Sequence, residues 1–526
     1  MPAITLISPP LANSDASAPT GVAEPREAPL IKALIVNGAF PEPVDVIETH
    51  ISWVILAGEF AYKIKKPIHF QFADLRTLEQ RRRACMDEHR LNSRLAPGLY
   101  LDVLEITGTA EKPELGGRGP VLEYAVRMRR ADQQSLLTEV IERNERTFDV
   151  IDDMAEQVAR FHLSARVVSP TEMEGSADII EHDVLSNFDE LVPYLTGEEA
   201  RDTHALRKTA RYDIEHLRAL FEKRKRNGFV RECHGDMHLG NMFLADGRVI
   251  IFDCIDFSHD LRCIDIMNEV AFVVMDLEYR GRPDLASRFL NRWLEWTGDY
   301  EGLELLPFYL AYRAVVRAKV EALRSQTCSD QDEACEFREA CGRHLRQASG
   351  YGHHAKPRLF ITFGPPGSGK TTGTQTFIET LPAIRIRSDV ERKRMHGLLP
   401  DERSGGSIYS DADTEATYVR LKQLAESILS SGFSCVVDAT FRSLHFRTVF
   451  RLMARRFGVP FHILPFDAPT DELSRRITTR AQQSTDASEA TVLVMERQLC
   501  LAEPLSSTEQ DFVLDPSQPP EVSKGA

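Results

Sequence analysis

Residues 234–241 read HGDMHLGN, and the run RVIIFD at 248–253 ends on a further aspartate. Asp236 and Asn241 stand five apart in a tight polar loop, and Asp253 follows twelve residues later. Phosphoryl transfer to a hydroxyl needs one carboxylate beside the attacking oxygen and separate oxygen donors for magnesium. A loop aspartate suits the first task, since it can orient the hydroxyl and take its proton. An asparagine amide oxygen and a strand-end aspartate suit the second, because magnesium is a hard ion that prefers oxygen. His234 is placed to brace the loop by hydrogen bonds.

Upstream, ISWVILAGEFAYKIKKPIHF (51–70) is rich in β-branched and aromatic residues around Gly58, the pattern of a hairpin. TLEQRRRACMDEHRLNSRL (77–95) has helical spacing and is stopped by Pro97-Gly98. LYLDVLEITG and VLEYAVRMRR read as two further strands, 147–225 as mostly helical, VIIFDCIDF (249–257) as a strand pair around a turn, and 264–347 as helical again. No internal repeat is present.

CHGDMHLGN together with IIFDCIDFSHDLRCIDIMNEVAF resembles the aminoglycoside phosphotransferase family, relatives of the protein kinases. The resemblance covers about residues 30–350 and implies an α+β, bilobal, protein-kinase-like fold. It makes Asp236 the catalytic base and Asn241 and Asp253 the magnesium ligands. It gives Asp260 and Asp265, which fill a D-x-x-x-x-D pattern, a loop-bracing role. It also requires a strand lysine that reaches the nucleotide phosphates and pairs with a helix carboxylate. Lys63 and Lys65 in AYKIKKP share one strand face; Lys63 is the preferred candidate and Glu88 its partner. No G-x-G-x-x-G precedes that strand. Relatives phosphorylate small hydroxyl compounds, and nothing in the sequence singles out an antibiotic.

A second, unrelated phosphate-binding device lies at 364–371, GPPGSGKT, between the strand-like RLFITF and a helical segment. Gly364, Gly367 and Gly369 permit backbone angles that aim N–H groups, with Ser368, into one concavity. The helix start adds a favourable dipole for an anion. Lys370 is expected to reach the β/γ-phosphates, with Thr371 on magnesium and Thr372 beside it. FSCVVDAT and PFHILPFDAP are further buried-strand candidates, and strands alternating with helices imply an α/β domain with a parallel sheet. IRIRSDVERKRM places Asp389 and Arg392 just after a strand, VVDATF places Asp438 at a strand end with Thr440 two on, and Arg476 and Arg480 share a helix face. This set resembles the small P-loop kinases: polynucleotide 5′-kinases, gluconate kinase and the zeta-toxin group. The resemblance makes Asp389 the residue acting on the acceptor hydroxyl, with Arg392 beside it for an anionic substrate. The lid arginines Arg476 and Arg480 would neutralise developing charge, and Asp438 serves either the metal shell or the substrate. An oligomeric ATPase ring is disfavoured: about 170 residues leave no room for a separate helical lid domain, and no glutamate adjoins Asp438 to polarise water.

The expected organisation is a disordered tail (1–29), the kinase-like domain (30–350), a linker (351–357), the P-loop domain (358–505) and a second tail (506–526). Of 526 residues 42% are hydrophobic, and no apolar run approaches the ~20 residues that span a bilayer. The N-terminus lacks the basic start and apolar stretch of a signal peptide. Nine cysteines without a C-x-x-C pair suggest reduced thiols in a cytoplasm. The net charge of −15 falls entirely on the first 355 residues, which hold 43 basic and 58 acidic side chains. That acidity argues against nucleic-acid binding there, and the neutral charge of the remainder weakens a polynucleotide-binding reading, which relies on a basic groove. The sequence therefore points to a bifunctional kinase using ATP, or GTP, with Mg2+ and small hydroxyl substrates. Two alternatives stand beside it: a nucleotide-sensing domain that regulates the other, or a nucleic-acid 5′-end kinase in the P-loop domain.

Overall fold

The computed structural model describes residues 29–518 apart from 50, 71–72, 131–132, 145–146, 329, 353–355, 405–407 and 484–486. The chain forms two compact units that interleave along the sequence. Among the described residues, the first comprises 29–150, 164–276 and 308–349; the second comprises 151–163, 277–307 and 350–518.

The first unit carries an antiparallel sheet whose strands run in the order Val44–Glu48, Ser52–Ala57, Phe60–Lys65, Val121–Arg129, Tyr100–Gly108, Pro113–Leu115. The expected hairpin turns at Gly58. Both faces of Phe60–Lys65 are covered, so it is buried nearly throughout. Ala61 joins Val54, Cys85 and Phe252 in one core cluster, while Tyr62 and Ile64 pack on the opposite side with Ile31 and Leu34. Helix Leu78–Asn92 starts at a Thr77/Gln80 capping box and buries Arg81, Cys85, Glu88 and Asn92, spaced to fall on one face. The unit also contains helices Ala177–Leu191, Gly197–Arg226, Leu306–Thr327 and Gln331–Gly350.

The second unit holds a four-stranded parallel sheet in the order Ala383–Arg387, Ser434–Asp438, Leu359–Phe363, Phe461–Pro465. The first strand in sequence is therefore central, and the strand ends near it open a crevice of the kind that open α/β sheets use for ligands. Phe360, Phe377, Ile378, Val436 and Leu464 fill the layer between this sheet and helix Lys370–Thr380.

Three sequence expectations need correction. VIIFDCIDF is not a strand pair: the strand Arg248–Ile251 pairs with Met242–Ala245, and the chain then leaves the sheet. Asp253 turns into the left-handed region at φ 62°, and the following backbone is held by Asn92 Oδ1 and the His234 carbonyl instead. Residues 506–518 are not a tail. The Ile463 N–H donates to the Phe512 carbonyl, the Leu514 N–H returns to that of Ile463, and Glu509 is buried against Arg447. Residues 30–350 do not form one body, because helix Pro283–Thr297 and part of helix Thr147–Ser164 belong to the second unit. Residues 1–28, 353–355 of the expected linker, and 519–526 lie outside the described residues. No helix among the described residues is long and apolar enough to cross a membrane.

Two candidate nucleotide sites

In the first unit, Glu232–His234 leads into a turn tied down from below. The N–H groups of His234 and Gly235 both donate to Glu269 Oε1, at 2.8 and 2.7 Å. Gly235 has φ 90°, and a Cβ there would lie 2.7 Å from the Leu261 carbonyl oxygen, so only glycine fits. His234 braces the loop as expected, with Nε2 2.8 Å from the Phe252 carbonyl. Asn241 Nδ2 donates to the Asp236 carbonyl at 2.9 Å and to its carboxylate at 3.1 Å. Asp236 keeps 21% of its side chain exposed. Burial opposes its charge, but His238, with Nε2 at 3.6 Å, and Arg317 hold the carboxyl well below the usual range. Asp236 is thus an ionised acceptor at neutral pH.

Both strand lysines reach the helix carboxylate. Lys63 Nζ lies 2.6 Å from Glu88 Oε1 and 3.2 Å from Asp253 Oδ1. Lys65 Nζ lies 2.7 Å from Glu88 Oε2 and 2.5 Å from Asp256 Oδ2. Burial disfavours charge on Lys63, yet Asp253 and Glu88 outweigh it and raise its pKa well above the ordinary value. Asp253 is pushed up by burial, with Lys63 opposing. The structure brings Lys63, Glu88 and Asp253 together, and separately Asp236 and Asn241. Asp265 receives Arg224 at 2.7 and 2.8 Å and the Met267 N–H, while Asp260 lies in the first turn of helix His259–Arg262. Sequence reasoning missed Asp256 and Glu269. The D-x-x-D spacing of Asp253 and Asp256 was a visible signal for the former; the latter acts only through the fold.

In the second unit, the loop after Leu359–Phe363 wraps a cleft of about 350 Å³. Gly364, Gly367 and Gly369 have φ of 155°, 82° and 90°. A Cβ on Gly364 would lie 2.1 Å from the Phe466 carbonyl oxygen. Lys370 Nζ is folded onto the loop's own carbonyls, at 3.1 Å from Gly364 and 2.7 Å from Pro365. Burial lowers its pKa against the pull of Asp438 and Asp389. Thr371 Oγ1 donates to Asp438 Oδ2 at 2.7 Å, which pairs two hard oxygen donors beside the loop. Ser368 is buried, and Thr372 lines the cleft with Thr440, Asp389 and Arg392. Arg392 Nη1 lies 2.9 Å from Asp389 Oδ1. Arg476 donates to the Gly367 carbonyl at 3.3 Å and pairs with Glu472, and Arg480 Nη2 lies 3.5 Å from the Ala490 carbonyl. Every residue expected at this site therefore reaches the cleft or its loop. Arg387 and Arg442, missed by sequence reasoning, line it as well.

Residues 72–306 match a family described as a phosphotransferase enzyme family, and residues 359–505 match one described as an AAA domain. A Mycobacterium tuberculosis protein described as uncharacterized is 34% identical over 460 residues, covering 84% of this chain and 88% of its own; a Mycobacterium bovis protein matches equally. Among solved structures, the amicoumacin kinase hAmiN in complex with AMP-PNP, Ca2+ and Ami matches 60% of this chain and 93% of its own at 14% identity and a TM-score of 0.38. A gluconokinase from Sinorhizobium meliloti 1021 matches 32% of this chain and 86% of its own at 18% identity and a TM-score of 0.23. The matched families and the two sites define a chain with two kinase-type domains, a phosphotransferase with a hydroxyl group as acceptor. It belongs to the same family as the two mycobacterial proteins.

Proposed function

We propose that the protein is a bifunctional ATP-dependent phosphotransferase, in which each unit transfers phosphate to the hydroxyl of a small molecule. The observation that carries this reading is that each unit holds its own set of a phosphate-directed lysine, a metal-type oxygen pair and a carboxylate base.

In the first unit Lys63, steadied by Glu88, would bind the nucleotide phosphates and give up its contact with Asp253. Asn241 and Asp253 offer oxygen to magnesium, which supplies charge neutralisation on the phosphates when bound. Asp236 then orients the acceptor hydroxyl and takes its proton, while Asn241 Nδ2 fixes the carboxylate. In the second unit Lys370 would exchange the two loop carbonyls for phosphate oxygens. Thr371 and Asp438 would hold the metal, and Asp389 would act as base. Arg476 and Arg480 would neutralise the transferring group. Arg392 and Arg442 line the cleft and favour an acceptor that carries a negative charge. All nine cysteines are free thiols, which supports a cytoplasmic setting.

The test is ATP consumption across a panel of small hydroxyl compounds by the wild type, Asp236→Asn and Lys370→Ala. The reading expects some acceptors to lose turnover only in the first variant and others only in the second. ATP binding with no acceptor-dependent rate in any of the three would replace it with a sensor role for one unit.

A further inference from the structure

The strand Ala383–Arg387 lies at the edge of the parallel sheet, where an unpaired row of backbone groups would face solvent. Helix Pro283–Thr297 covers it. Asn291 Nδ2 donates to the Ala383 carbonyl at 3.0 Å, and the Arg385 N–H donates to Asn291 Oδ1 at 2.7 Å, so one amide side chain stands in for a neighbouring strand. Ser287 Oγ donates to the Ile378 carbonyl at 2.8 Å, and Arg288 pairs with Glu379 at 2.7 Å. This helix lies within the stretch matching the phosphotransferase family, yet it packs as part of the P-loop unit.

One residue of the helix reaches towards the nucleotide site. Glu295, 1% exposed, accepts Arg385 at 2.8 Å on Oε1 and Arg387 at 3.4 Å on Oε2. Burial opposes its charge, but Arg385 and Arg387 hold its pKa down to about 2. Each arginine in turn addresses a P-loop group. Arg385 Nη1 donates to the Thr371 carbonyl at 3.0 Å and lies 3.4 Å from Thr374 Oγ1, fixing the first turn after the loop. Arg387 lines the cleft with its Nε 4.0 Å from Asp438 Oδ2.

We propose that Glu295 is a positioning residue for the P-loop site: it holds Arg387 back from Asp438 and Arg385 on Thr371, so that Asp438 and Thr371 remain a pair for magnesium. This rests on the reading of the P-loop cleft as a nucleotide site. Without the Glu295 charge, the Arg387 guanidinium turns to Asp438, the carboxylate 4.0 Å away, and competes with the metal. The helix that the phosphotransferase stretch contributes thereby sets the metal affinity of the second site.

The test uses the full chain in a Lys63→Ala background, titrating a fluorescent non-hydrolysable ATP analogue with magnesium chloride while recording melting temperature. Glu295→Gln, which keeps shape and removes charge, should raise half-saturating magnesium on the order of tenfold, with little change in metal-free nucleotide affinity. Adding Arg387→Gln should restore the magnesium response. Glu295→Asp, which keeps the charge, should fall in between and guards against a glutamine variant that does not fold. A lower melting temperature with unchanged half-saturating magnesium in both Glu295 variants would reduce Glu295 to a structural residue and overturn the proposal. If Lys370→Ala leaves nucleotide binding intact in this background, the reading of the P-loop cleft fails first and takes the proposal with it.

Discussion

Lys63 and Lys65 share a single carboxylate: Glu88 receives the first on Oε1 at 2.6 Å and the second on Oε2 at 2.7 Å. The three groups are almost fully buried, and Asp253 and Asp256 complete the charge balance from the other side. Glu88→Ala leaves two buried ammonium groups short of a partner. The expected cost is about 3–5 kcal/mol, read as a lower denaturation midpoint. The two lysines should then separate by function. Lys63→Met should abolish turnover of acceptors served by the first unit, and Lys65→Met should chiefly lower stability, because its second contact is Asp256 instead of the metal-type Asp253.

Acid should unfold the chain through its buried glutamates. Arg385 and Arg387 hold Glu295 down to about 2 from an ordinary 4.5, and Lys63 and Lys65 hold Glu88 below the usual carboxylate range. A depressed folded pKa gives stability that is fully present above the unfolded value and is lost as pH falls through it towards the folded value. The contribution of these two glutamates should therefore be level down to about pH 5 and then drop towards pH 2. Glu295→Gln should shallow that drop; an unchanged acid limb would contradict the assignment.

Asp183 carries the opposite sign. Burial, with Asp260 adding to it, raises its pKa to about 7 from an ordinary 3.8. Its charge opposes folding above pH 7, and the penalty fades as pH falls from 7 towards 4. Asp183→Asn should raise the melting temperature at pH 8 and leave it nearly unchanged at pH 4. Equal shifts at both pH values would mean that packing, not charge, is responsible.

Residues 506–518 should be essential to the P-loop unit. Arg447 is 1% exposed and meets Glu509 at 2.7 and 3.1 Å. Glu509→Ala should cost about 3–5 kcal/mol by leaving that guanidinium buried without its carboxylate. Truncation after residue 505 should cost at least as much, measured by thermal denaturation.

Arg442 gives a test of acceptor charge. It lines the P-loop cleft, and burial, with Arg497 adding to it, lowers its pKa. Arg442→Gln should raise the KM for the P-loop unit's acceptor about tenfold while leaving the KM for ATP close to wild type. An ATP-specific effect would place Arg442 on the nucleotide instead.

Much of this was legible because the chemistry is local. His234 to Asn241 and Gly364 to Thr371 are contiguous loops that carry their chemical residues at a readable spacing. Lys63 and Glu88 were expected from the family resemblance, and strand alternation put Lys63 and Lys65 on one face. The features that escaped depend on distant chain segments. Nothing in the sequence near Glu295 marks it as the partner of Arg385 and Arg387, some 90 positions on. The polar ending SSTEQDFVLDPSQPP resembles a tail, yet Glu509 is fixed by one buried arginine and Leu514 by backbone pairing. The apolar run VIIFDCIDF suggested two strands, because alternation cannot report the left-handed turn at Asp253.

The central claim is that one chain carries two independent nucleotide sites. Isothermal titration of the full-length protein with magnesium and a non-hydrolysable ATP analogue tests it most directly. The account expects two binding events in the wild type, one remaining in Lys63→Ala and the other remaining in Lys370→Ala. A single event in the wild type, lost in one variant and untouched in the other, would contradict it.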